Sequence, residues 1–240
     1  MSIFDQKVIK YEMKPLSSLE KVFPDETPVY RMECQMLSGL WGETVSFQVA
    51  YTGDFVMRER LDVRVVSELA EHVHVRTVEM VPVGRATNGI VDDNYLKTTS
   101  GLYPDLLKDL KDGKVIVYSR QWRSLWVDVD ITNEIPAGEY EIELQLIKEG
   151  EVVCSAKQKV TVIGTELPKL DIMHTEWMHA DCLADYYHVE VFSEEHWKLL
   201  ENYFQEYVKR NCNMMLTPLF TSPLDTAIGL ERTTCQLIDV

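Results

Sequence analysis

The chain has 240 residues, 45% of them hydrophobic and 26% charged, an ordinary globular composition with room for one large domain or two modest ones. Its formal net charge is −15, acid is in excess in both halves and no basic stripe occurs, so it repels phosphate backbones and anionic lipid. Nucleic acid and membrane surfaces are therefore excluded as expected partners, whereas a neutral ligand such as a sugar is compatible.

The N-terminal MSIFDQKVIKYEMKPL has no apolar run of signal-peptide length, because Asp5 and Lys7 interrupt it. No apolar stretch of about 18 residues suggests a membrane-spanning helix. Cys34, Cys154, Cys182, Cys212 and Cys235 are scattered, odd in number and without a CxxC, which suits a reducing compartment. The expectation is a cytoplasmic protein whose cysteines are small hydrophobes or bystanders.

Up to about residue 163 the dominant period is two. In 43–51, Val45, Phe47, Val49 and Tyr51 face one way; in 60–69, Leu61, Val63 and Val65 alternate with Asp62 and Arg64. HVHVRTVEMVPV (72–83) reads as a strand with Pro82 near its end. A short helical interruption is expected near 103–110. In 121–131, Leu125, Val127, Val129 and Ile131 share a face, with Trp122 and Trp126 opposite. After the turn Pro136-Ala137-Gly138, Tyr140, Ile142, Leu144 and Leu146 alternate with polar residues. Glu149-Gly150 turns the chain into a last strand. Seven or so half-buried strands predict an antiparallel β-sandwich over residues 1–163.

GTELPK (164–169) reads as a linker. Residues 170–178 (LDIMHTEWM) can form a strand, followed by a long connection. A helix then begins at the N-cap Ser193. Glu194 and Glu195 suit its positive end, and Lys209 and Arg210 its negative end. Trp197, Leu200, Phe204 and Val208 form a stripe expected to be core. Asn211 or Cys212 ends the helix where glycine is usual. An apolar strand follows at 213–219, with a third strand expected at 235–240. This βαβ order predicts a multidomain β then α/β chain in which residues 170–240 are the first βα units of an incomplete (β/α)8 barrel. Such a barrel takes ~250 residues and only about 75 remain, so the expectation is a truncated chain.

The strings HTEWMHADCLADYYH (174–188), FSEEHW (192–197), NMMLTPLFTSPLDT (213–226) and GLERTTCQLIDV (229–240) resemble the start of the catalytic barrel of glycoside hydrolase family 123. GLYPDLL (101–107) and RSLWVDV (123–129) resemble that family's N-terminal domain. The family is similar to β-N-acetylgalactosaminidases. The resemblance implies retaining, substrate-assisted hydrolysis in which the sugar's acetamido oxygen attacks the anomeric carbon. In the family an adjacent Asp-Glu pair on a later barrel strand orients the acetamide and acts as general acid and base. The single Asp-Glu dipeptide here, Asp25-Glu26 in FPDETP, does not match that motif. No catalytic residue is therefore assigned, and the chain alone is expected to be inactive. The family also tends to carry glycine where Cys212 stands.

Candidate sugar-binding residues are His174, Trp177, His179 and Asp181, expected at the C-terminal end of the first barrel strand and in its loop, the end that carries the site in such barrels. Trp177 can stack on a pyranose, and the others can bond its hydroxyls; alternatively the group orders a loop and packs it on the sandwich. Thr217, Asp225 and Arg232 belong to the loop after the second strand, where they hold a sugar or pair with each other. No cofactor and no metal are expected, since the spacing of His174, His179, Asp181 and Cys182 fits no usual zinc framework. His72 and His74 form an HxH pair read chiefly as an exposed strand edge. The partner expected of the full-length protein is an N-acetylhexosaminide, with self-association through the unfinished barrel as a further expectation. The alternative is a stand-alone β-sandwich carbohydrate-binding or interaction protein using Trp122 and Trp126, which otherwise lie under the neighbouring domain.

Overall fold

The computed structural model describes residues 10–28, 36–55, 57–85, 95–169, 171–178 and 180–216, without the side chain of Asp181. The chain divides into two compact units between Leu167 and Pro168. Among the described residues the protein is mostly β, with antiparallel sheets and two α-helices.

The first unit is built from two five-stranded sheets. One has the order β1 (Lys10–Ser17), β3 (Thr44–Asp54), β8 (Arg123–Asp130), β5 (Val73–Val83), β6 (Gly101–Asp109). The other has the order β2 (Met36–Trp41), β10 (Glu151–Glu166), β9 (Gly138–Lys148), β4 (Glu59–Val66), β7 (Lys114–Val117). Every neighbouring pair is antiparallel except β2 and β10. The period-two rows meet between the sheets. Phe47 and Val49 of β3 and Leu125, Val127 and Val129 of β8 pack in one cluster with Leu61 of β4, Val115 and Val117 of β7, and Ile142, Leu144 and Leu146 of β9. Each such side chain contributes about 1.5 to 3 kcal/mol by leaving water. Glu149 and Gly150 both have positive φ, 52° and 88°, the twist a two-residue β9–β10 hairpin requires.

Residues 103–110 are not helical. They lie largely in β6, an edge strand paired with β5 from Arg76↔Asp109 to Val83↔Gly101, with a register shift between Glu79 and Met80. An edge strand tolerates Pro104, which would open a helix interior. His72 ends a 3-10 turn (Ala70–His72) rather than sharing a strand with His74, so there is no HxH face; His74 instead lies 3.3 Å from the Asp130 carboxylate. The last sandwich strand runs three residues past Ile163, to Glu166.

A polar knot ties β1 to β4. The Glu59 carboxylate accepts from the Tyr11 hydroxyl and, at 2.9 Å, from the Lys148 ammonium. Burial alone raises the Glu59 pKa, but the Lys148 and Tyr11 hydrogen bonds outweigh it and hold it below the ordinary 4.5. Burial and the same carboxylate push the Tyr11 hydroxyl up.

The second unit contains β11 (Thr175–Trp177), α1 (Ala180–Tyr187), α2 (Glu194–Lys209) and β12 (Met214–Leu216). β11 and β12 are parallel, in the register Thr175↔Met214, Glu176↔Met215, Trp177↔Leu216. The connection before α2 thus holds a helix the periodicity did not predict, and the third strand expected at 235–240 lies outside the described residues. The Ser193 hydroxyl caps α2 by accepting from the His196 N–H at 3.2 Å. Both helices end alike. In α1, His188 N–H donates to Asp185 O and Val189 N–H to Ala184 O; in α2, Asn211 N–H donates to Val208 O and Cys212 N–H to Tyr207 O. Each pair brackets a left-handed residue, His188 (φ 56°) or Asn211 (φ 59°). Glycine is dispensable because Asn211, not Cys212, takes that conformation, and asparagine tolerates it.

The expected α2 stripe is not all core. Leu200 is buried with Met178 and Ala180, but Trp197, Phe204 and Val208 are exposed, at 50%, 42% and 70%. The strands and α1 cover one side of the helix, and the stripe is wider than that cover.

Leu144→Ala is expected to cost about 3 kcal/mol, the loss of a fully buried leucine at the sheet interface, read from urea unfolding of the sandwich. Glu59→Gln is expected to cost about 1 kcal/mol at neutral pH. Because the folded Glu59 pKa is depressed, its contribution is complete above the unfolded-chain value and drains away as pH falls through the folded one. The stability gap between wild type and Glu59→Gln should therefore close in acid; a gap constant from pH 7 to pH 3 would contradict the linkage.

Candidate functional site

Trp177 is the last residue of β11 and is 70% exposed. The next residue, Met178, turns inward, and its N–H donates to Leu216 O at 2.8 Å. Parallel pairing therefore sets the C-terminal ends of β11 and β12 side by side, with Trp177 opposite Leu216. An exposed indole at this edge can stack on an apolar ring face. Asp181 lies in the first turn of α1, so it belongs to a helix rather than a loop. His179, Thr217, Asp225 and Arg232 lie outside the described residues.

His174 does not belong to that edge. It precedes β11, at the strand's opposite end, where its backbone is fastened to Asn213. The Asn213 amide accepts from the His174 N–H at 2.9 Å and donates to Ile172 O at 2.7 Å, while the N–H groups of Asn213 and Met214 reach His174 O at 3.2 and 3.1 Å. Two residues along the strand, Glu176 shares the face of His174, and its carboxylate lies 3.1 Å from His174 Nε2. The Cys212 sulfur is 3.7 Å from Nδ1 and 3.9 Å from Nε2. Cys212 thus lies against the His174 ring. Sequence reading missed this group because it looked for ligands closely spaced along the chain. The available signal was an alternating His-x-Glu in one strand and a cysteine just ahead of its parallel neighbour.

His196 was also missed. It is fully buried; its Nδ1 accepts from the Phe192 N–H at 3.1 Å, which leaves Nε2 to donate to Ala180 O at 2.9 Å. A neutral imidazole thus joins the start of α1 to the start of α2.

In the sandwich, Trp122 cannot serve as a platform. It is 8% exposed, buried with Leu16, Val22 and Ala50 of its own unit, and the Lys14 ammonium sits 4.9 Å from its ring. Trp126 spends its indole N–H on Asp128, at 2.8 Å. The face expected under a neighbouring domain is partly roofed by the sandwich's own N-terminal segment, whose backbone at Ser17, Ser18 and Glu20 accepts from the Gln48 amide. Asp25 and Glu26, the Asp-Glu dipeptide, both lie 2.8 Å from Lys97. The Lys97 hydrogen bond holds the Asp25 carboxyl below its ordinary value, so Asp25 is an ion-paired loop residue rather than a proton donor near neutrality.

Residues 177–240 match the family model described as the glycoside hydrolase 123 catalytic domain, a match that starts at Trp177. Among solved structures, the chain is similar to a family 123 glycoside hydrolase from Clostridium perfringens, studied for glycolipid glycan hydrolysis: 13% identity, TM-score 0.64, covering 88% of this chain and 38% of that one. The similarity to a β-glucosidase from Listeria innocua with bound glucose is far looser, at 11% identity and TM-score 0.29 over 67% of this chain and 17% of that one. No curated protein matches. The chain spans 38% of the length of the Clostridium structure.

His196→Leu should leave the Phe192 N–H and the Ala180 carbonyl without partners in a buried place. A loss of about 2 to 3 kcal/mol is expected, seen as faster amide exchange through both helices while the sandwich is unaffected. Unchanged protection of the helices would contradict the tethering role.

Proposed function

We propose that this chain is the N-terminal sandwich and the first βα elements of a (β/α)8-barrel glycosidase acting on N-acetylhexosaminides, a β-N-acetylgalactosaminidase-like enzyme of the retaining, substrate-assisted kind. The observation that carries the reading is the exposed Trp177 at the C-terminal end of β11, the residue at which the catalytic-domain match begins. Barrel enzymes bind substrate at that end of their strands. The bare aromatic side of α2 supports it as well: Trp197, Phe204 and Val208 form the kind of surface that a neighbouring barrel element covers.

In this reading Trp177 supplies one wall of the sugar site. His179 and Asp181, with Thr217, Asp225 and Arg232 after β12, are the candidates for bonding sugar hydroxyls. His174 drops out of the set, since it lies at the other end of β11. The reaction needs one carboxylate to orient the acetamide and a second to move the proton to and from the glycosidic oxygen. The family places both on a later strand. Asp25 and Glu26 are engaged with Lys97 and do not stand in for them.

The purified chain is therefore expected to give no hydrolysis of an aryl N-acetyl-β-galactosaminide above background; clear turnover would overturn the assignment of the catalytic pair to missing strands. In a longer chain carrying an Asp-Glu barrel strand, Trp177→Ala is expected to lower kcat/KM about tenfold, or ~1.4 kcal/mol of transition-state binding. An unchanged kcat/KM would remove Trp177 from the site.

A further inference from the structure

We propose that His174, Glu176 and Cys212 form a binding site for a soft divalent cation, zinc by preference, that clamps the start of β11 to the turn between α2 and β12. The three donors lie within 4.8 Å of one another although Cys212 is 38 residues from His174 in sequence. They are a nitrogen, a carboxylate oxygen and a thiol sulfur. Sulfur with imidazole selects zinc over magnesium or calcium, which take oxygen ligands.

Two of the three separations lie near the edges of a coordination tetrahedron. Bonds of about 2.0 to 2.1 Å to nitrogen and oxygen and about 2.3 Å to sulfur place N about 3.3 Å from O and about 3.6 Å from S. His174 Nε2 lies 3.1 Å from Glu176 Oε1 and 3.9 Å from Cys212 Sγ. A cation seated among them needs shifts of only tenths of an ångström along these two edges.

The backbone holds the donors in place without help from a metal. His174 and Glu176 alternate on one strand face. The Asn213 side chain bonds to His174 N–H and Ile172 O, fixing the segment that carries the histidine. Cys212 donates its N–H to Tyr207 O at 3.0 Å, within the α2 cap. Because Asn211 takes the left-handed conformation, the residue at 212 need not be glycine and is free to offer a ligand.

Glu176 is half exposed and His174 nearly so, which leaves the site open to a cation from solvent. On binding, the thiol gives up its proton to water. One glutamate and one thiolate then balance the 2+ charge, with neutral histidine as third ligand and a water in the fourth position. Glu176 is the neighbour of Trp177, but successive residues of a strand point to opposite faces, so the site lies on the other face of β11 from the indole and stands apart from the carbohydrate reading.

The test is titration of the full 240-residue chain with cobalt(II) as a zinc probe. One equivalent is expected to bind with a thiolate-to-cobalt charge-transfer band, and zinc is expected to displace it and to protect Cys212 from alkylation. Cys212→Ser and His174→Ala should abolish the band, while Glu176→Gln should weaken binding at least tenfold with unchanged far-UV dichroism. Cys182→Ser, on exposed α1, should leave the band as it is. No band in the wild-type chain, or a band of equal strength in Cys212→Ser, would overturn the proposal.

Discussion

Parallel strands cannot be joined by a tight turn, because the chain must return to the end from which it started. β11 and β12 obey that constraint, and the arrangement of the second unit follows from it. The return path carries α1 and α2, whose Ala180 and Leu200 pack with Met178. His196 joins the two helix starts inside that path. The register Thr175↔Met214 sets the strand ends level, so each end of the pair becomes a place where residues far apart in sequence converge. At one end stands an exposed indole; at the other a histidine and a cysteine meet, with Glu176 reaching them from the middle of β11.

The sandwich answers to a different constraint. Its strands have one dry face and one face that must satisfy polar groups. The inner face is a single aliphatic cluster drawn from both sheets. The outer face at β3 and β8 is unusually well covered. Gln48, Ser124 and Asp128 are buried there, and each is matched: Ser124 donates to Gln48, and Ser46, Trp126 and Arg76 bond to Asp128. A polar layer of this kind is stable only when its members are satisfied together.

Period-two alternation made the sandwich legible in the sequence. Val45 to Tyr51, Leu125 to Ile131 and Tyr140 to Leu146 could point in no other way once one face was dry. It failed at 103–110, where apolar spacing imitates a helix turn and only pairing with β5 decides the matter. It failed also for Trp122, because alternation reports which face a residue is on and not what roofs that face. The α2 cap was readable, since Ser193, the acidic first turn and the basic last turn act within a few residues. The α1 helix was not, because eight residues hold too few turns for a stripe to show. Of the candidate residues, Trp177 was named from the local motif strings, and its exposed place at the end of β11 comes from the pairing with β12. The group at the other end of β11 was hidden, because a strand register and not a spacing brings Cys212 to His174.

The two units differ in self-sufficiency, and that has a consequence for how such a chain is made. Among the described residues, every buried member of the main sandwich core lies between Met13 and Val162. A ribosome would have released all of it before the first residue of β11 emerged, so the sandwich can fold during synthesis. The helical unit arrives afterwards with Trp197, Phe204 and Val208 facing water. While that side faces water, it is the surface a chaperone would hold and the first place for such chains to stick to one another.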